Sequence, residues 1–274
     1  MDIFIPDNIN AAEALARTTH LAVSAHEDDI EFMAYDGILK CFEDQNLHFT
    51  AVIAGDGAGS PRSGIYEDCT DFDMMRIRKE EQKKAAIVGN YNAAVFLDLP
   101  SSRLKDPDDR AATDALKEII EKTKPSVIYT HNPADKHDTH VATVLRLIKA
   151  LRELDYVPEK LYGCEVWRSL DWVCDSEKIT FSVGGRPNLE AALLGVFDSQ
   201  IAGGKRYDDA VIGRRRANAT FSESHAVDTA SESIFAIDLT PLLTDKTLSV
   251  SAYIKGYIDR FAADVESRLN RLEK

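Results

Sequence analysis

The chemistry-bearing side chains of this chain gather in two short stretches. Residues 25–31 read AHEDDIE, placing one imidazole (His26) and two consecutive carboxylates (Asp28 and Asp29) where an apolar run gives way to a helical pattern. Residues 131–140 read HNPADKHDTH and contribute His131, His137 and His140, so that four of the seven histidines follow two predicted strands. Taken singly, each residue has an ordinary structural explanation. Asp28 and Asp29 suit the start of a helix, Glu31 its first turn, and Asp138 or Thr139 a second N-cap. Taken together, His26, Asp29 and His140 offer two imidazoles and a carboxylate, a set suited to zinc that leaves a coordination position open for catalysis. Asp28 is then a spare carboxylate able to accept a proton from metal-activated water. His137 could face a developing oxyanion or protonate a leaving group. Two other readings use the same residues: a non-haem iron oxidoreductase built on two histidines and a carboxylate, and a nonenzymatic sugar- or nucleotide-binding module.

The surrounding pattern must bring these stretches to one place. Short apolar runs at 21–25, 49–54, 93–98 and 126–130 alternate with helical patterns at about 30–42, 73–88, 108–122 and 140–154. Strands separated by helices imply right-handed crossovers and a mostly parallel, Rossmann-like α/β sheet flanked by helices. Such sheets hold ligands at the carboxyl ends of their strands, where both histidine clusters fall. From about residue 161 the pattern changes. EVWRSLDWV and KITFSVG read as strands, followed by helices at 188–201 and 207–217, a strand at 234–238 and a closing helix at 253–272. One domain over 1–274 is expected, with a core at 1–155 and an elaborated part at 156–274 that completes the pocket.

The two clusters resemble the PIG-L/LmbE-like superfamily of zinc-dependent N-deacetylases, whose pattern is AHPDDxE after the first strand and HPDH or HxxH after the fourth. The resemblance implies a linear-amide hydrolase acting on an acetamido, amino-sugar-like substrate such as an N-acetylglucosamine derivative. It implies that His26, Asp29 and His140 bind Zn2+, that Asp28 is the general base, and that His137 stabilises the tetrahedral intermediate. On the helix RIRKEEQKKAAIVG, Arg78, Glu81, Ala85 and Ala86 match the family, and Arg78 is a candidate substrate contact. Three departures stand out: Glu27 replaces a proline, Asp138-Thr139 replaces Pro-Asp, and Ser101 stands where many members carry an aspartate. Asp56 and Asp135 lie in loops expected on the same edge and could compensate. In the C-terminal part, Glu223 and His225 fall in a segment of the kind members use to complete the pocket, making His225 a further substrate candidate. The resemblance also allows a homo-oligomer.

Composition narrows the partners. The 274 residues are 44% hydrophobic and 29% charged, ample for a packed core. Forty-six acidic against 33 basic side chains leave a net charge of −13, which argues against nucleic-acid or anionic-membrane partners. Cys41, Cys69, Cys164 and Cys174 are widely spaced and read as reduced thiols. No signal-peptide pattern opens the chain, and no run approaches the ~18–20 apolar residues of a membrane span. A cytoplasmic protein acting on a soluble small molecule is expected. GDGAGS at 55–60 lacks the lysine of a phosphate loop, and Tyr162, Trp167 and Trp172 read as core or rim aromatics.

Overall fold

The computed structural model describes residues 1–222 and 225–273. Its centre is five parallel strands: β2 (His20–Ser24), β3 (Phe49–Gly55), β4 (Ala93–Leu99), β5 (Val127–His131) and β6 (Lys160–Cys164). Three antiparallel strands complete an eight-stranded sheet: β1 (Asp2–Phe4) beside β4, then β8 (Ser233–Asp238) beside β6 and β7 (Ile179–Ser182) at the far edge. The order β1-β4-β3-β2-β5-β6-β8-β7 establishes the expected α/β class, a mostly parallel mixed sheet flanked by helices.

Every residue of β2 and β3 is buried, as central parallel strands require when helices cover both faces. Alternate side chains feed two apolar layers. Leu21, Val23, Val52, Val95 and Ile128 pack on one face with α6 (Ala111–Thr123), α7 (Asp138–Leu154) and the start of α12 (Val250–Leu272). Ala22, Ile53, Ala94, Phe96 and Tyr129 face the other way, toward α3 (Tyr35–Glu43), α4 (Asp71–Val88) and α8 (Pro187–Gly195). The chain winds outward from β2 in both directions, to β3 and β4 on one side and to β5 and β6 on the other. A crevice therefore opens beyond the carboxyl ends of β2 and β5, which pair directly. Both histidine clusters leave the sheet there.

Several elements differ from the sequence expectation. The helix expected at 30–42 is two, α2 (Asp29–Met33) and α3, because Ala34 leaves the helical region (φ −111, ψ 19) without a glycine or proline to announce it. EVWRSLDWV is not a strand: pairing ends at Cys164, and the backbone N–H groups of Trp167 and Arg168 are turned toward the Asp135 carboxylate (3.2 and 3.4 Å). The helix expected at 188–201 breaks after Gly195 and resumes as α9 (Asp198–Ile201). Unanticipated elements include β1, α1 (Ala11–Ala16), α5 (Ser101–Lys105), the parallel strand β6, which precedes the segment expected as a strand, and α11 (Pro241–Thr244). The helix at 207–217 is α10 (Tyr207–Asn218).

Candidate active site

The turn after β2 is pinned at each step. Ser24 Oγ donates to the His26 carbonyl (2.9 Å), the Ala25 N–H to His131 Nε2 (2.9 Å), and the His26 N–H to the Asp29 carboxylate (2.8 Å). From the neighbouring strand the Gly55 N–H donates to the Ala25 carbonyl (2.8 Å). A Cβ at Gly55 would lie 2.4 Å from that carbonyl oxygen, so only glycine allows this approach. Asp28 adopts φ +87, a conformation rare for a side-chain-bearing residue and sustained only where surrounding bonds hold it. Its N–H donates to Gln82 Oε1 on α4 (3.2 Å), and its carboxylate accepts from Arg78 Nη2 (3.0 Å).

Opposite this turn, α7 begins at His137, whose Nδ1 accepts the Thr139 N–H (3.3 Å), and buries His140 in its first turn. His26 Nδ1, the Asp29 carboxylate and His140 Nε2 then face one another. The separations are 3.2 Å from His26 to His140, 3.2 Å from His26 to Asp29, and 3.4 Å from His140 to Asp29. Tetrahedral zinc with bonds of roughly 2.0–2.2 Å needs donors roughly 3.3–3.6 Å apart. The set fits. Two overlapping groups, His26–His137–His140 and Asp29–His131–His140, also bring their donor atoms within 4.8 Å, and both contain His140.

The hydrogen bonds separate ligands from supports. His131 Nε2 is already occupied by the Ala25 N–H, and its ring stacks on His140 with centroids 4.0 Å apart, so it lies behind the donor set. His140 Nδ1 lies 3.3 Å from the Asp135 carboxylate, which places that nitrogen's proton outward and leaves Nε2 free for a cation. Asp135 does not line the cavity; it orients a residue that does.

The two adjacent aspartates occupy opposite electrostatic environments. Burial pushes Asp28 well above the usual carboxylate range; Arg78 opposes this, while Asp29, Glu27 and Glu31 reinforce it. Burial also acts on Asp29, but His140, His131 and His26 outweigh it and hold Asp29 ionised. His137 is held below the usual imidazole value by burial and by the charges of His26 and His140. With Nδ1 accepting from Thr139, the neutral ring carries its proton on Nε2.

A cavity of about 300 Å³ joins these groups. His26, Asp28, Asp29, Asp56, Arg78, His137 and His140 all line it, so seven sequence candidates meet in one place. Arg78 is buried, and besides Asp28 it bonds Ser60 Oγ (2.5 Å) and the Glu27 carbonyl. Glu27, the residue standing for a proline, is fully buried with Oε2 3.5 Å from Arg78 Nε. The other two departures bond each other: Ser101 Oγ and Thr139 Oγ1 lie 2.7 Å apart on the cavity wall. His225 is exposed and is not among the described residues lining the cavity; Glu223 lies outside the described residues.

Sequence reasoning missed several wall residues. Lys105, Gln200 and Tyr207 line the cavity, as does Trp167, read from the sequence as core or rim. Glu81 accepts both the N–H (2.7 Å) and the hydroxyl (2.6 Å) of Ser199, tying α9 and thereby Gln200 to α4. The polar residues Arg78, Glu81 and Gln82, buried at helical spacing with Ala85, were the available signal on α4.

Fold and site together define a deacetylase-like hydrolase class with a His/Asp metal site. Residues 21–151 match the family model described as GlcNAc-PI de-N-acetylase, PIG-L. Over that segment, just under half its length, the chain is similar to the PIG-L/LmbE-like deacetylase family. Among solved structures it is similar to N,N'-diacetylchitobiose deacetylase from Pyrococcus horikoshii (TM-score 0.64, 14% identity, 88% of this chain and 90% of that one). It is also similar to GalB, the 4-carboxy-2-hydroxymuconate hydratase from Pseudomonas putida (TM-score 0.62, 16% identity, 81% and 96%). A third similar structure is the A40926 pseudoaglycone deacetylase Dbv21 (TM-score 0.58, 16% identity, 81% and 97%). At such identities the likeness concerns the fold. No curated protein matches the chain. Among the described residues, no helix is long and apolar enough to cross a membrane.

Proposed function

We propose that this protein is a zinc-dependent N-deacetylase that hydrolyses the acetamido group of a small amino-sugar-like substrate. The carrying observation is the convergence of His26 Nδ1, the Asp29 carboxylate and His140 Nε2 at 3.2–3.4 Å, with a second buried carboxylate, Asp28, on the same cavity. Held by those three side chains, zinc supplies Lewis acidity, acidifying water and polarising an amide carbonyl. Asp28 accepts the proton from water and returns it to the departing amine as the C–N bond breaks, giving acetate and a free amine. Its raised affinity for protons suits that shuttle, and Arg78 fixes the carboxylate's orientation. His137 Nε2–H donates to the carbonyl oxygen as negative charge grows there. Arg78 and Asp56 form the wall available to the rest of the substrate. The volume is at the small end of the usual ~300–1,000 Å³ for ligand sites, which favours a substrate portion about the size of one sugar ring.

The test is acetate release by zinc-loaded protein from N-acetylglucosamine and N,N'-diacetylchitobiose, with Asp28→Asn in parallel. Removal of a general base should lower kcat ~10²–10⁴-fold while zinc content stays at the wild-type level. Full zinc occupancy without acetate release from any acetamido sugar would reject the activity. Elemental analysis of protein purified without added metal, with iron and oxygen uptake as the contrary result, separates hydrolysis from iron chemistry.

A further inference from the structure

The C-terminal part contributes Trp167, Gln200 and Tyr207 to the cavity, and Tyr207 brings a phenol hydroxyl to it. Tyr207 opens α10 and lines the cavity together with His26, Asp28, Asp29 and His137. Its ring is fixed by aromatic neighbours: Trp167 lies 4.6 Å away between centroids, and Phe32 5.7 Å away in an edge-on contact. Phe32 and Trp167 also touch each other at 5.5 Å, so three rings from three segments lock the orientation. Tyr207 is half-buried, and its hydroxyl has no hydrogen-bond partner among the described residues. Burial raises the phenol to about 12; the charges of Asp28 and Asp29 add to this, while Arg78 opposes it. Tyr207 therefore keeps its proton at neutral pH.

A rigid O–H on the cavity wall, with no acceptor among the described residues, is arranged to donate to something that enters the cavity. We propose that Tyr207 is a catalytic residue whose hydroxyl donates a hydrogen bond to the substrate's acetamido oxygen, acting with His137 as that oxygen gains charge. Trp167 serves as a positioning residue that holds the phenol ring in place. This rests on the deacetylase reading of the same cavity. It assigns the C-terminal part a chemical role that neither histidine cluster supplies.

Tyr207→Phe removes only the hydroxyl and retains the ring contacts, so its urea midpoint and zinc content should match wild type. Loss of one oxyanion donor lowers kcat on the order of 10²-fold, with KM for the acetamido sugar changed less than about threefold. The second measurement needs no turnover: affinity for the methylphosphonyl amide of glucosamine, a tetrahedral mimic, should fall by a similar factor. Trp167→Leu, which loosens the ring, should reduce both quantities in proportion, whereas Trp167→Phe should largely restore them. Unchanged kcat and unchanged affinity for the mimic in Tyr207→Phe would overturn the assignment, as would an effect confined to KM. If wild-type protein binds the mimic more tightly than Tyr207→Phe yet releases no acetate, the deacetylase reading fails and the donor role stands. If wild type neither binds the mimic nor releases acetate, both fall.

Discussion

Replacing Asp135 tests the metal centre without requiring any substrate. Its carboxylate does two things at once. It faces His140 Nδ1 at 3.3 Å, fixing the tautomer that leaves Nε2 available, and it accepts the backbone N–H groups of His137 (2.9 Å) and Trp167 (3.2 Å). Burial would raise its pKa, but the hydrogen bond and charge of His140 prevail and bring it down to about 2, so Asp135 is ionised across the working range. In Asp135→Ala, His140 Nδ1 is left in a closed interior with nothing to receive its proton, and the ring is free to present either nitrogen. Loss of such an orienting carboxylate typically costs 10–100-fold in metal affinity, or about 1.4–2.7 kcal/mol. Asp135→Asn loses the charge and one of the two acceptor oxygens but can keep the other toward His140, so it should fall near the tenfold end. Zinc affinity measured by competition with a chromogenic chelator gives the number directly. Urea unfolding of the metal-free protein measures the separate cost of the freed N–H groups. If Asp135→Ala bound zinc within about twofold of wild type, His140 would not depend on its partner, and the proposed ligand set would lose its main support.

Two further predictions concern charge held away from water. Arg78→Met leaves the Glu27 and Asp28 carboxylates buried without their guanidinium (3.5 and 3.0 Å), and removing one partner of a buried pair costs about 3–5 kcal/mol. Urea unfolding should show this loss, and adding Glu27→Gln should recover part of it; a change below about 1 kcal/mol would mean that the two acids are protonated in the folded protein. Asp238 lies far from the cavity; burial acts to raise its pKa, but hydrogen bonds from Thr240 and Lys160 hold it below its ordinary 3.8. A depressed carboxyl contributes stability that is present above the unfolded value and lost as pH falls through the folded one. Asp238→Asn should accordingly flatten the acid limb of a stability profile below about pH 5 and leave no pH-dependent difference near neutrality.

The parallel core was legible because its signals are local. Runs such as 21–25 and 49–54 are apolar but for Ser24 and Thr50, as suits strands covered on both faces, and the intervening helices carry clear starts and stops, Thr70 with Asp73 at one end of α4 and Gly89 at the other. The C-terminal part was less legible because long-range bonds decide it. The segment 165–173 has the composition of a strand, yet Asp135, some thirty residues earlier, takes the N–H groups a ladder would need. Within the site, the residues with chemical spacing were readable, and those whose role depends on a distant partner were not. Asp135 looked like a compensating acid in a loop, whereas its geometry is that of a support for His140. Tyr207 had no motif around it and became visible only once α10 had been placed against the crevice.

The turn at residues 25–31 gives neighbouring aspartates different surroundings, as the two roles proposed for them require. Side chains adjacent in sequence must be sent apart if one is to ligate and the other to handle protons, and φ +87 at Asp28 does this by turning the backbone through a region that sequence alone does not favour. The environments then diverge. Asp29 meets three imidazoles and remains an anion, while Asp28 meets three carboxylates and one arginine and binds its proton more firmly. Separated proton affinities of this kind are what acid–base catalysis with paired carboxylates requires. Glu27 enters the argument here. A proline at that position would stiffen the turn but bring no charge; a buried glutamate adds to the field that raises Asp28 and takes part of the Arg78 guanidinium for itself. On the proposed roles, Glu27 would adjust the base without touching the three proposed ligands, and the turn is held in part by its buried ion pair with Arg78.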